Sequence, residues 1–94
     1  FSDNRQLRLL LLLVDIRRDM RDEERLVLEL VRNSAARAAV IATKADKLVP
    51  SERRARVAEL HAAGGIRPII SSAEKRWGMD EIWQAILEAL PDLP

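Results

Sequence analysis

Residues 38–46 read Ala-Ala-Val-Ile-Ala-Thr-Lys-Ala-Asp, an apolar run that passes directly into polar residues. Two further, largely apolar runs occur at Leu9–Val14 and at Ile66–Ile70, and each is also followed by polar residues. Short apolar runs with polar ends are typical of strands that are buried on both faces of a parallel sheet. The sequence therefore predicts three buried strands.

Helical patterns follow the predicted strands. The acidic residues Asp22–Glu24 suit the positive end of a helix dipole and predict the start of a first helix. A second helix is predicted to be capped by Ser51 and to stop at Gly64 and Gly65. A third is predicted to end at Pro91. The apolar positions are Leu26, Val27, Leu30 and Val31 in the first helix, Val57 and Leu60 in the second, and Met79, Ile82, Trp83, Ile86 and Leu90 in the third.

The alternation of strands and helices predicts an α/β fold of the order βαβαβα. We expect a three-stranded parallel sheet with three helices, which form a single unit over residues 1–94. The first strand is the most apolar, as strands in the centre of a sheet are, yet in a sheet that follows chain order it would lie at an edge. The chain is therefore interpreted as the second half of a larger doubly wound sheet, and its start at Phe1 fits a processed or cut chain.

The composition excludes several kinds of site. The 94 residues contain no cysteine and one histidine, which excludes disulfide frameworks, thiolate metal sites and cysteine nucleophiles. The net charge of +1 gives no general reason to expect a nucleic acid or an anionic membrane as a partner. The longest apolar run, Leu9–Val14, is much shorter than the roughly 20 residues of a membrane-spanning helix. We therefore expect no membrane partner and a cytoplasmic location.

Polar residues at the carboxyl ends of the strands form the candidate site, because ligands of open parallel sheets bind at that edge. The sequence places Asp15–Arg17, Thr43–Asp46 and Ser71–Ala73 there. The Asp46 carboxylate can accept two hydrogen bonds from the N1–H and the amino group of guanine, whereas adenine offers neither donor at these positions. The alkyl stem of Lys44 can cover the plane of the base.

At these residues the chain resembles the P-loop GTPases. Thr43-Lys44-Ala45-Asp46 is similar to the guanine-specificity motif N/T-K-x-D, and Ser71-Ser72-Ala73 is similar to the final guanine-contacting motif S-A-x. The nearest resemblance is to the EngB-type ribosome-assembly GTPases of the Era-like branch, in which the preceding strand ends in D-I-R, as Asp15-Ile16-Arg17 does. The resemblance covers nearly the whole chain, although Ser51–Ile70 is shorter than usual for the family.

The resemblance implies a role for each residue of the two motifs. Asp46 would recognise the N1–H and the amino group of guanine, and Lys44 would pack on the base and ribose. Thr43 stands where many GTPases have asparagine and would tie the guanine loops together. Ser72 would support the loop, and Ala73 would offer its backbone N–H to the guanine carbonyl.

The sequence lacks the elements that perform phosphoryl transfer in these proteins. It contains no phosphate loop of the form G-x-x-x-x-G-K-S/T, no threonine motif for magnesium and no D-x-x-G motif. The resemblance therefore implies GTP or GDP as the ligand, with Mg²⁺ only in a complete domain, and it matches the C-terminal half of the GTPase domain. We expect no catalytic residue, no metal ligand and no GTP hydrolysis in this chain, which would depend on the missing N-terminal half.

Simpler interpretations stay open for parts of the site. Asp46 could cap a turn in an ordinary polar loop, and the serines of Ser71–Ala73 could cap a helix. Asp15 is interpreted as structural, capping the loop at Ile16–Asp19.

Basic and aromatic residues outside the motifs are assigned to packing or to solvent. The run Arg53, Arg54 and Arg56 is interpreted as a solvated helix face, with contact to ribosomal RNA phosphates as a minority hypothesis. Trp83 lies on the apolar stripe of the third helix and is expected in the core. Trp77 either covers the loop near Ser72 or is exposed for a partner.

The sequence leaves two hypotheses about the function of the chain, one of nucleotide binding and one of self-association. In the first, the chain is the guanine-reading part of an EngB-like GTP-binding protein, a family that acts on the precursor of the large ribosomal subunit. In the second, it is a non-enzymatic fragment that self-associates through the strand Leu9–Val14. A flavodoxin-like or receiver-like half domain would require phosphate-binding or acidic-cluster loops, which the sequence lacks.

Overall fold

A computed structural model describes residues 8–90 of the chain, and the residues before and after this range, including Phe1 and Pro91, lie outside it. Strands and helices alternate, which confirms the predicted α/β order of three strands and three helices. A single 3₁₀ turn over Ala45–Lys47 follows the second strand. The elements are β1 (Leu9–Asp15), α1 (Asp22–Arg32), β2 (Arg37–Thr43), α2 (Pro50–Gly64), β3 (Ile69–Ile70) and α3 (Met79–Ala89).

The sheet is parallel and has the order β1-β2-β3, so β1 lies at an edge of the described sheet. β1 and β2 pair along their whole lengths, from Leu9 opposite Arg37 to Asp15 opposite Thr43. Since all the strands run in one direction, their carboxyl ends lie along a single edge of the sheet.

The core fills one face of the sheet. Side chains alternate between the faces of a strand, and Val14 of β1 and Val40 and Ala42 of β2 point to the same side. There they contact Leu28 of α1 and Leu60 of α2, which are fully buried. The predicted stripe of the first helix is confirmed at Val31, which is buried, but Leu26 and Leu30 are exposed. Leu28, which was not part of that stripe, is buried instead.

The opposite face of the sheet is covered less completely. Ala39 and Ile41 point to that face and are buried, and α3 contacts β2. The prediction that Trp83 lies in the core is wrong, since 58% of this residue is exposed. The reason is that α3 is the one described helix outside the α1–α2 layer, so that nothing in residues 8–90 packs on its outer side. Leu13, at the edge of the sheet, is likewise 60% exposed.

Two element boundaries differ from the predicted ones. β3 was expected over Ile66–Ile70 but comprises Ile69–Ile70, because Pro68 has no N–H to donate to the ladder. α2 begins at Pro50 rather than behind a Ser51 cap: proline suits the first helical position, and the Val49 N–H before it donates to the Glu52 carboxylate at 3.3 Å.

The end of α2 confirms the predicted glycine stop. Gly65 follows the helix with a φ of +76°, a conformation that glycine adopts without a side-chain penalty. Among residues 8–90, no helix is long and apolar enough to cross a membrane.

Substitution at Gly78 should be far more damaging than at Gly65, although both have positive φ. A Cβ at Gly78 would lie 2.2 Å from the backbone carbonyl oxygen of Ile70, whereas one at Gly65 would meet the flexible end of Arg32. We expect Gly65→Ala to cost about 1 kcal/mol and Gly78→Ala to cost more than about 2 kcal/mol. Urea denaturation measures both values, and equal losses would contradict this packing around Gly78.

Candidate functional site

The candidate site lies at the carboxyl edge of the sheet, where two loops meet. The loop after β2 and the loop after β3 are joined by the Ala45 N–H, which donates to the Ser71 carbonyl at 3.0 Å. The Ser71 N–H donates in turn to the Ala42 carbonyl at 2.9 Å. The two motifs that the sequence singled out are therefore neighbours in space.

A cavity of about 250 Å³ opens between these loops. Three of the five predicted residues line it, namely Lys44, Asp46 and Ala73. The other two, Thr43 and Ser72, are not among its lining residues. The full lining is Arg17, Lys44, Asp46, Lys47, Ala73 and Glu74, of which all but Ala73 carry an ionisable side chain.

The carboxylate of Asp46 is held in one orientation by the loop after β3. The Ser72 hydroxyl donates to Asp46 Oδ1 at 2.7 Å and accepts the Lys75 N–H at 3.1 Å. Only 8% of the Asp46 side chain is exposed, and its Oδ2 lies 4.0 Å from Lys47 Nζ. The hydrogen bond from Ser72 lowers the pKa of Asp46 below its ordinary value, so this carboxylate is ionised at neutral pH.

Lys44 occupies a backbone conformation that few side chains adopt. Its φ of +59° turns the chain sharply at the end of β2 and begins the 3₁₀ turn. The turn buries Ala45 completely, while the Lys44 side chain is largely exposed and reaches to 4.0 Å from Asp15 Oδ2. Non-glycine residues in this conformation are strained by about 1–3 kcal/mol and cluster at binding sites.

Thr43 and Ala73 present different groups at the site. The Thr43 hydroxyl donates to the Val14 carbonyl at 3.4 Å, so in the described residues it contacts the end of β1. The Ala73 N–H donates to no other group within residues 8–90, and Ala73 is one of the residues that line the cavity. The tying role of Thr43 and the base contact of Ala73 stay predictions.

Asp15 belongs to its own loop, as the sequence indicated. Its Oδ1 accepts the backbone N–H of Arg17 at 2.9 Å and the Arg17 Nε–H at 3.0 Å, and its Oδ2 accepts the Nη2–H at 2.8 Å. The hydrogen bonds from the Arg17 side chain, followed by the one from its backbone, hold the pKa of Asp15 well below its ordinary value. Arg17 also lines the cavity.

The arginines at the start of α2 are the functional candidates that the sequence reading missed. The prediction of a solvated face is wrong for Arg53 and Arg56, while Arg54 is exposed as expected. Arg56 donates to the carbonyls of Ile16 and Arg18 at 2.7 and 2.6 Å. The spacing of three that puts both arginines on one helix face was visible in the sequence, but it does not tell which loops that face meets.

Arg53 contacts both sides of the site. Its Nε–H and Nη2–H donate to the carbonyls of Ala45 and Leu48 at 3.1 and 2.9 Å. Its guanidinium carbon lies over the Trp77 ring, 4.5 Å from the centroid. Trp77 pairs with Ser72 across the loop after β3, so of its two predicted placements, the one that covers this loop is confirmed.

The Asp15–Arg17 pair should make stability depend on acidity. Because folding lowers the pKa of Asp15, its ionised form stabilises the fold above the unfolded-state pKa near 4, and this stabilisation is lost as the pH falls below that value. We expect Asp15→Asn to lower the melting temperature at pH 7 and the difference from the parent chain to shrink between about pH 5 and pH 2. Glu29→Gln, an exposed acidic position in the middle of α1, is the control, and a difference for Asp15→Asn that does not vary with pH would argue against this pair.

Comparison with known proteins gives sequence relatives but no matching family model. The chain is 33% identical over 85 residues to a probable GTP-binding protein EngB of Lachnospira eligens, an alignment that covers 86% of this chain and 40% of the relative. It is 38% identical over 84 residues to a probable GTP-binding protein EngB of Bdellovibrio bacteriovorus, covering 88% of this chain and 42% of the relative.

The chain thus spans about two fifths of the length of the curated relatives it matches. Within that span the similarity covers most of the chain, including the elements that carry the two motifs. The resemblance to the EngB-type GTP-binding proteins that the strand-end motifs indicated is therefore confirmed as the similarity of this chain to a part of such a protein.

Proposed function

We propose that this chain is the base-reading part of a guanine-nucleotide site, binding GTP or GDP through the cavity at the sheet edge. The observation that carries the proposal is the Asp46 carboxylate, which accepts a hydrogen bond from Ser72 and lines one cavity together with Lys44 and Ala73. The relatives are named as GTP-binding proteins, which supports a guanine nucleotide as the ligand.

The chemistry of these groups suits guanine. An ionised Asp46 accepts the N1–H and the amino group, while the Lys44 stem lies against the face of the ring and the Ala73 N–H donates to the guanine carbonyl. Adenine would offer the Asp46 carboxylate neither of these two base donors. Since each hydrogen bond to a charged group contributes about 1.5–3 kcal/mol, the preference for guanine should exceed roughly tenfold.

The phosphate end of the nucleotide needs residues that this sequence does not contain. It has no P-loop and no D-x-x-G motif, and within residues 8–90 no three acidic, histidine or cysteine side chains cluster as a metal site. These residues do not offer the donor set of a Mg²⁺ site, and our proposal assigns them no hydrolytic step. In our proposal, phosphate binding, Mg²⁺ and GTP hydrolysis belong to an N-terminal half, and the complete protein acts in the cytoplasm on the precursor of the large ribosomal subunit.

The base preference can be tested on this chain with GDP and ADP at millimolar concentration. We expect amide NMR signals of residues 43–47 and 72–73 to shift with GDP at concentrations at least about tenfold below those needed for ADP. Asp46→Asn keeps an acceptor for the Ser72 hydroxyl but loses the second acceptor for guanine, so the preference should disappear while the fold persists.

The control for this experiment is Glu81→Gln, an exposed acidic position of α3, which should retain the preference for GDP. Equal shifts with GDP and ADP in the unsubstituted chain would refute guanine recognition by these residues. So would a preference that survives in Asp46→Asn.

A second candidate function is favoured by the exposed edge of β1. This strand is at the edge of the described sheet, and Leu13 on it is 60% exposed. An exposed apolar edge can pair with the same edge of another chain. In this alternative the chain is a self-associating, non-enzymatic module without useful nucleotide affinity.

Self-association through β1 should depend on concentration and on Leu13. We expect the sedimentation coefficient to rise with concentration if this alternative holds, and Leu13→Lys to restore the monomer, since a charge on an edge strand opposes pairing. Leu26→Lys, at an exposed position of α1, should leave association unchanged. A strict monomer at high concentration would eliminate this alternative.

A further inference from the structure

The side chain of Arg53 contacts two loops of the site: the loop after β2, and Trp77 in the loop after β3. On the first side, its Nε–H and Nη2–H donate to the carbonyls of Ala45 and Leu48, which lie on either side of Asp46 and Lys47. Two hydrogen bonds from one planar guanidinium fix the loop in both position and orientation.

On the second side, the guanidinium carbon lies over the Trp77 ring, 4.5 Å from its centroid. Trp77 and Ser72 exchange backbone hydrogen bonds, with N···O distances of 3.1 and 3.3 Å. These two hydrogen bonds close the loop between Ser72 and Trp77, and Ala73 is the first residue of that loop. The position of Trp77 therefore sets where the Ala73 N–H lies.

The contacts form a closed ring around the cavity. From Arg53 they pass through Trp77 to Ser72, whose hydroxyl donates to Asp46 at 2.7 Å. From Asp46 the chain returns through the flanking carbonyls of Ala45 and Leu48 to Arg53. A ring of this kind restrains the spacing between a carboxylate and an N–H that stand on separate loops.

We propose that Arg53 is a positioning residue, which acts through Trp77 to hold the Asp46 carboxylate and the Ala73 N–H at the spacing that a guanine ring requires. The contacts of the ring are those of the described residues, while its use for guanine rests on the proposed function. Lysine cannot replace arginine here, because its ammonium group cannot donate to both carbonyls and also stack flat on the indole.

Hydrogen exchange of the ligand-free chain tests the coupling directly. In Arg53→Lys, we expect the amides of Lys75 and Trp77, which donate to Ser72, to exchange roughly two- to fivefold faster. That range corresponds to the strength of an exposed cation–π contact, about 0.5–1 kcal/mol. Arg54→Lys, the exposed neighbour on α2, should leave these amides unchanged.

A residue that only stabilised its own turn would give a different pattern. In that case Arg53→Lys would accelerate the Lys47 and Leu48 amides, which donate within the turn, and leave Lys75 and Trp77 as they were. That pattern would overturn the proposal. Amides in the middle of α1 serve as the internal reference, because a general loss of stability would accelerate them as well.

Trp77→Leu provides a second, independent variant. It keeps an apolar side chain over the loop but removes the aromatic face. We expect the Lys75 amide to accelerate as in Arg53→Lys, and the double variant to add little to either single change, since both remove the same contact. Fully additive effects would show that Arg53 and Trp77 act separately and would refute the link.

Titration with nucleotides separates this proposal from the proposed function. Arg53→Lys should weaken GDP binding roughly two- to fivefold and leave ADP binding unchanged, whereas a general loss of structure would weaken both. If the unsubstituted chain does not prefer GDP, the proposed function fails and with it the guanine role of Arg53. If it does prefer GDP and Arg53→Lys leaves that preference and the exchange rates intact, the positioning role alone is refuted.

Discussion

Parallel pairing on both sides of β2 is the constraint on which the remaining structure depends. β2 is bonded to β1 along its length and to β3 at its end, and Ala39–Ala42 are buried. Because all three strands run in the same direction, the two motif loops must leave the sheet at the same edge. The cavity is a consequence of this arrangement and of the short distance between adjacent strands.

The two faces of the sheet differ in how completely they are covered. The layer of α1 and α2 buries Val14, Val40 and Ala42 on one face. On the other face, which α3 covers, Leu13 of β1 and Trp83 of α3 itself stay exposed within the described residues. Three strands spaced about 4.8 Å apart are wider than one helix of about 10 Å, so one helix cannot cover the whole of the second face. Within residues 8–90, the exposed apolar residues and the edge of β1 that no described strand pairs with lie where, in our proposal, more of a doubly wound sheet would pack.

The site combines local strain with restraints from distant parts of the chain. Lys44 stands in a left-handed conformation, which persists because the Ala45 N–H is bonded to Ser71 and Ala45 itself is buried. Asp46 is ionised and mostly covered, which would be unfavourable without the Ser72 hydroxyl beside it. In this way the loop after β3 supports the groups that the loop after β2 presents.

The sequence alone determined the α/β order, the three strands and the placement of both motifs at strand ends. Runs of apolar residues report burial on two faces, and the end of such a run marks the sheet edge. The contacts of Arg53 and Arg56, the placement of Trp77 over the loop and the exposure of Trp83 were decided by the tertiary structure. Periodicity shows which residues share a face of a helix, but which loop or strand that face meets depends on how the whole helix packs on the sheet.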